Sequence, residues 1–185
     1  MIAFLDFEAS SLSDRSYPIE IGWVFADGTG EGHLIRPASK WTDWDVQAEA
    51  IHGIPRARLE TEGLAVEAVA QRMVAALGDH RLYASAPSWD GRWLSALMRA
   101  AGLPRKTLTL EGTDLLLHEA ARDILQPVVP EDDLDRTVQN IVSLAEMRRW
   151  ETPAHRALAD AEGERQRWLE VQRVAQGAAE KLRAS

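Results

Sequence analysis

Two acids two positions apart close the apolar run Met1-Ile2-Ala3-Phe4-Leu5-Asp6-Phe7-Glu8. A short apolar run rich in aromatic and branched residues reads as a buried strand. Side chains at i and i+2 on a strand share a face. Asp6 and Glu8 are therefore expected side by side, at the end of a strand that belongs in a core. At a separation near 6 Å and an effective dielectric near 20, two such charges repel by roughly 3 kcal/mol. Desolvation adds to that cost. A divalent cation turns the penalty into a binding site, because hard cations take carboxylate oxygens. Two solvated acids in a loop past the strand end would account for the same letters, and the rest of the chain decides between the readings.

Two further stretches carry residue types suited to the same chemistry. Asp90 lies in Pro87-Ser88-Trp89-Asp90-Gly91-Arg92-Trp93-Leu94, within the first turn of an expected helix, where the macrodipole favours an acid. That dipole alone would account for an isolated Asp, and Trp89 and Trp93 at i and i+4 read as core anchors. Near the C-terminus stands His155-Arg156-Ala157-Leu158-Ala159-Asp160-Ala161. A spacing of five turns a helix by about 500°, so two helical side chains so spaced diverge by roughly 140°. His155 and Asp160 converge only if His155 sits on a loop or frayed first turn and Asp160 in the helix. Pro153 marks such a junction; without it the pair would be two ordinary surface residues.

The elements that must position these residues read as an α/β domain. Residues 1–8, 19–26 and 32–36 form an expected three-stranded antiparallel meander, turned by Asp27-Gly28-Thr29-Gly30 and ended by Pro37. Residues 38–62 are less regular and contain Trp41, Trp44 and Ile51-His52-Gly53-Ile54. An apolar face of Leu64, Val66, Val69, Met73, Val74 and Leu77 predicts a helix from Gly63 to Leu77. Arg81 to Ala84 is a short strand. Ser88 caps a helix running to about Ala101, and Leu108 to Leu110 is the last strand. Helices follow near 113–125, 133–148 and 154–183, separated by Pro127, Pro130 and Pro153. The last is charged over much of its surface and reads as a solvated outer helix. Residues 1–185 are expected to form one domain, and the meander excludes a fully parallel dinucleotide-binding fold. No Gly-x-Gly-x-x-Gly follows the first strand, and no phosphate-binding Gly-Lys-Ser/Thr loop occurs.

Composition narrows the chemistry. The 185 residues contain no cysteine, which removes disulfides, thiolate metal sites and a cysteine nucleophile. That fits a reducing cytosol, and a cytoplasmic location is expected. The N-terminal apolar stretch breaks at Asp6 and has no basic leader, so no secretory signal is expected, nor any membrane span. With 29 acids against 21 bases the net charge is -8, which argues against a nonspecific nucleic-acid coat. It leaves room for an enzyme that holds phosphates through metals, since bound cations reverse the local field.

Taken together, Asp6-x-Glu8, Trp89-Asp90 and His155-x4-Asp160 resemble the three motifs of the DEDDh 3′→5′ exonucleases, the proofreading-exonuclease and ribonuclease T superfamily. Ile51-His52-Gly53-Ile54 matches a His-Gly-Ile common in that family. The resemblance covers roughly residues 1–170. It implies a ribonuclease H-like fold, with a mixed five-stranded sheet of meander plus parallel strands flanked by helices. It also implies two divalent cations, Mg²⁺ or Mn²⁺, held by Asp6, Glu8, Asp90 and Asp160, with His155 as general base. Single-stranded nucleic acid 3′ ends or short oligonucleotides would be the substrate. Ala9, Ser10, His52 and Gly53 would line the terminal-nucleotide pocket, and a homodimer is open because ribonuclease T-like relatives include dimers. The departures are Ala9-Ser10-Ser11-Leu12 in place of Thr or Gly after Asp-x-Glu, Ala86 where an Asn is common, and Trp89 for Phe. Trp41 and Trp44 could stack on bases, pack in the core or form a partner surface, and Arg56 and Arg58 could meet the phosphate backbone but are solvated by default. Two rivals are a catalytically silent binding domain and a haloacid dehalogenase-like phosphatase. The phosphatase would need Asp-x-Asp, whereas position 8 is Glu.

Overall fold

The computed structural model describes residues 1–147 and 154–184. Among them five strands form one sheet, ordered β3-β2-β1-β4-β5. These are β1 (Ile2–Ala9), β2 (Pro18–Phe25), β3 (Gly30–Leu34), β4 (Arg81–Ala84) and β5 (Leu110–Gly112). Strand β1 pairs antiparallel with β2, which pairs antiparallel with β3, giving the expected meander. The β1–β4 and β4–β5 pairs are parallel. The sheet is therefore mixed, as expected.

Alternation along β1 sets the two layers. Ala3, Leu5 and Phe7 point into the larger core, with Ile21 and Trp23 of β2 and residues of α3 (Val66–Leu77) and α4 (Pro87–Ala100). Phe4 points the other way. It meets Tyr83, Leu116 of α5 (Thr113–Leu125) and Trp168 of α7 (Ala157–Arg183). A third cluster joins α5, α6 (Glu131–Met147) and α7 through Leu117, Leu125, Val138, Val142, Val171 and Ala175. Asp6 and Glu8 follow Phe4 in alternation and so face the α7 layer.

Strand β4 is short. It pairs β1 only along Ile2 to Phe4, so the second half of β1, with both acids, projects past it. The crevice beyond the carboxyl ends of parallel strands is where open α/β sheets bind ligands.

Several boundaries differ from the sequence reading. The last strand lies at Leu110–Gly112, because register with Leu82 to Ala84 is set there; Leu108 is buried in the preceding loop. The Gly63–Leu77 helix starts only at Val66, since Leu64 is drawn into a backbone bridge with Ile35 and is 45% exposed. Two short helices, α1 (Val46–His52) and α2 (Arg56–Glu62), occupy the region read as irregular. Ser88 does not cap α4. Ala86 is its N-cap, and Pro87 takes the first helical position, where a missing N–H costs nothing. Helix α6 starts directly after Pro130 and is described to Met147; its expected end at residue 148 and Pro153 lie outside the described residues.

Candidate active site

Three segments bring the four predicted acids together. Asp6 and Glu8 come from β1, Asp90 from the first turn of α4, and Asp160 from the first turn of α7. A small pocket of about 280 Å³ is lined by Asp6, Phe7, Glu8, Ser85, His155, Asp160 and Glu164. Asp90 lies behind this wall, 1% exposed, with Oδ1 accepting a hydrogen bond from Phe7 N at 3.3 Å. Its Oδ2 is buried with no hydrogen-bond partner among the described residues.

Helix α7 begins at Ala157, so His155 stands on the loop before it and Asp160 in the helix. This is the arrangement under which a spacing of five converges. Ligand atoms of Glu8, His155 and Asp160 lie within 4.8 Å of one another. The loop is pinned on both sides of His155. Ala154 N donates to Asp160 Oδ1 at 2.8 Å, and Arg156 Nη2 donates to Glu20 Oε1 at 2.6 Å. Glu20 Oε2 also accepts from Ala157 N at 3.1 Å. Between these ties His155 adopts φ 52°, a left-handed backbone uncommon outside glycine, and its side chain is exposed.

Gly22 is the reason the start of α7 can sit so close to the sheet. It is the β2 partner of Asp6, and a Cβ there would fall 2.2 Å from Leu158 N and 2.4 Å from Ala157 C. Only a residue without a side chain lets the first turn of α7 rest on the strand.

The electrostatics are those of crowded, buried acids. Asp6 is pushed up to about 9, first by burial and then by Asp90, Glu8, Asp160 and Glu164. Glu8 is pushed up to about 7 by burial, then by Asp160 and Glu20, with Arg156 opposing. Burial raises Asp90 to about 7 against the Phe7 N–H bond that lowers it. Each shift records a carboxylate that would rather be neutral than share the site without a cation. A divalent cation fits this site: the donor set is oxygen-rich and hard, and the orphaned Asp90 Oδ2 lacks the partner that burial demands.

Glu164 was not singled out from the sequence. It sits one turn beyond Asp160, is 4% exposed, lines the pocket, and comes within 3.4 Å of Arg167 Nη1. Its signal was the i, i+4 spacing from Asp160, which puts both on one helix face. The surrounding charges masked it, so the solvated-helix reading fails at this position. Glu20 and Ser85 were not singled out either.

None of the expected nucleotide-pocket residues, Ala9, Ser10, His52 and Gly53, is among those lining the acid pocket. His52 is 5% exposed at the end of α1, and its Nδ1 accepts from Ile54 N at 3.0 Å. A nitrogen that accepts from a backbone N–H carries no proton, so the proton of the neutral ring is on Nε2, which has no partner among the described residues. Burial holds the His52 pKa below its ordinary value, and the charges it senses include Glu20, Arg156 and His155. Gly53 ends α1 with φ 66°. Ala9 is nearly buried, and the Ser10 hydroxyl binds Tyr17 N at 3.1 Å and Asp43 at 3.4 Å. Trp41 packs on Tyr17 with centroids 5.1 Å apart, and Trp44 meets His52 edge-on at 6.2 Å. Arg56 is tied to the carbonyls of Trp41 and Thr42, and Arg58 to Glu62.

The arrangement has structural precedent. The chain superimposes on the zinc-bound complex of E. coli exonuclease I with single-stranded DNA, with TM-score 0.62, 17% identity, and coverage of 89% of this chain and 38% of that one. E. coli exonuclease I with a dA16 oligonucleotide gives TM-score 0.64 and 16% identity, over 97% and 42% of the two chains. A moderately thermophilic exonuclease I from Methylocaldum szegediense gives 0.63 and 13%, over 91% and 40%. The fold is that of exonuclease I. The chain spans 38% to 42% of the length of these exonuclease I chains. No family model matches the sequence, and no curated protein matches it. Among the described residues, no helix is long and apolar enough to cross a membrane.

Proposed function

We propose that this chain is a divalent-cation-dependent 3′→5′ exonuclease of the DEDDh type, acting on single-stranded nucleic acid. One observation carries the reading. Carboxylates from β1 and α7 crowd one pocket, with the buried Asp90 of α4 bonded to Phe7 of its wall and an exposed His held at a fixed loop position, on the fold of exonuclease I. Asp6, Glu8, Asp90 and Asp160 would hold two Mg²⁺ or Mn²⁺ ions, with Glu164 adding charge from the next turn of α7. When bound, such ions activate a water and stabilise both the attacking and leaving oxygens of an in-line displacement.

The residues of the chain do the rest. His155 takes a proton from the attacking water, a role suited to an imidazole, which titrates near working pH. The clasp of Glu20 with Arg156 and Ala157 N holds that ring's backbone in place. The Nε2–H of His52 donates to an acceptor on the terminal nucleotide, filling a bond that is otherwise unmade. Gly53, Ala9 and Ser10 would complete that end of the nucleotide site.

The test is degradation of 3′- and 5′-labelled single-stranded DNA and RNA in Mn²⁺, with Asp6→Ala as control. Stepwise loss from the 3′ end, abolished by chelation and by Asp6→Ala, is expected. Retention of the oligonucleotide without cleavage would leave a binding domain instead. A phospho-aspartate at Asp6 would point to the phosphatase chemistry.

A further inference from the structure

A second groove, of about 800 Å³, opens on the α3–α4 side of the sheet. Arg36, Lys40, Trp41, Glu67 and Arg99 are among its walls. Its cations are not matched by neighbouring acids among the described residues. Arginines elsewhere, such as Arg72, Arg156 and Arg167, meet carboxylates within ion-pair distance. Among the described residues, Arg36, Lys40 and Arg99 meet none, in a chain where acids outnumber bases by eight. The unpaired charge continues past the end of α4. Arg105 and Lys106 line an adjoining cavity with Ser95, and they too meet no carboxylate among the described residues. Ser95 links the two cavities, since its carbonyl accepts from Arg99 Nε and its hydroxyl from Arg105 Nε.

The wall of the groove is tied through the chain and hydrogen bonds to the strand that carries the acids. Trp41 is two residues from Asp43, so their Cα atoms lie no more than about 7.6 Å apart. Asp43 in turn binds the hydroxyls of Ser10 and Ser11, and Ser10 is two residues beyond Glu8. A row of uncompensated cations with an aromatic side chain in the wall is what a single-stranded nucleic acid needs: charges for phosphates and a ring surface for bases.

We propose that this groove carries the phosphate backbone of a single strand whose 3′ end occupies the acid pocket. The proposal rests on the exonuclease reading and adds to it a path for the strand. It makes affinity depend on strand length, because a dinucleotide fills the pocket and does not reach the groove.

The test is the triple variant Arg36→Ser, Lys40→Ser, Arg99→Ser; all three side chains are exposed, so the fold should tolerate it. Binding of a fluorescent oligothymidylate of about 20 nucleotides is measured by anisotropy over a range of salt, alongside turnover of a dinucleotide. The expected result is at least about 10-fold weaker binding of the long strand and a salt slope smaller by roughly 2, with dinucleotide turnover unchanged. Unchanged affinity and slope for the long strand, with wild-type dinucleotide turnover intact, would overturn the groove and leave the exonuclease reading standing. Absence of any turnover by the wild-type protein would remove the exonuclease reading itself and the strand path with it. Competition by poly-glutamate but not by oligothymidylate would overturn the proposal in favour of an acidic protein partner.

Discussion

His155 offers the cleanest separation of chemistry from folding. Its ring is exposed, and its backbone is held at φ 52° by ties on its neighbours. His155→Asn keeps a residue that tolerates that backbone, yet it cannot serve as the base. Turnover should fall by about 10²-fold or more, while Mn²⁺ affinity from calorimetry stays within a few-fold of wild type. Wild-type turnover in that variant would remove His155 from the mechanism. Glu164→Gln tests the acid the sequence did not announce. It preserves shape, so Mn²⁺ affinity should drop several-fold without loss of secondary structure by circular dichroism. Unaltered affinity would mean that Glu164 serves only Arg167.

At the scale of elements, the docking of α7 on β2 governs whether the site exists. Gly22→Ala drives a Cβ into the backbone of Ala157 and Leu158, and no side-chain rotation relieves a clash with backbone. The expected cost is about 1–3 kcal/mol by denaturant unfolding, together with a loss of turnover as His155 and Asp160 move. Full stability and activity in this variant would show that the first turn of α7 has slack. This same docking shows what could and could not be read from the letters. The strand alternation of Phe4, Asp6 and Glu8 was legible because period-two patterning is local. Convergence of His155 and Asp160 was legible only as a condition, since a spacing of five left the helix start to decide it. Gly22 and Glu20 were not legible, because their roles come from residues more than 130 positions away. The shift of β5 to Leu110–Gly112 was hidden for a like reason: register is set by the partner strand, not by Leu108 and Leu110 themselves.

For the whole molecule, the crowded acids make stability and cation binding interdependent. Asp6, Glu8 and Asp90 are all held above the ordinary carboxylate range. Their protonated forms favour the fold, so their contribution to the stability of the cation-free protein should be greatest at low carboxylate-range pH. It should weaken as pH rises toward about 9, because the unfolded chain sheds those protons first. The rise in melting temperature on adding Mn²⁺ should therefore be larger near pH 8.5 than near pH 5.5, by roughly several degrees. A rise independent of pH would mean that the ions bind elsewhere. Helix α7 reaches across this molecule. Its 27 residues extend about 40 Å, from the pocket at one end, past Trp168 on the sheet, into the cluster with α5 and α6. A rod of that length is a lever: a tilt of about one degree at its far end moves its tip by roughly 0.7 Å. Displacements near 1 Å can cost a reaction about 100-fold. Overfilling the remote cluster, as with Ala175→Leu, should thus throttle turnover from a position about 22 Å along the helix from Asp160, although the new methyl groups touch nothing that reacts.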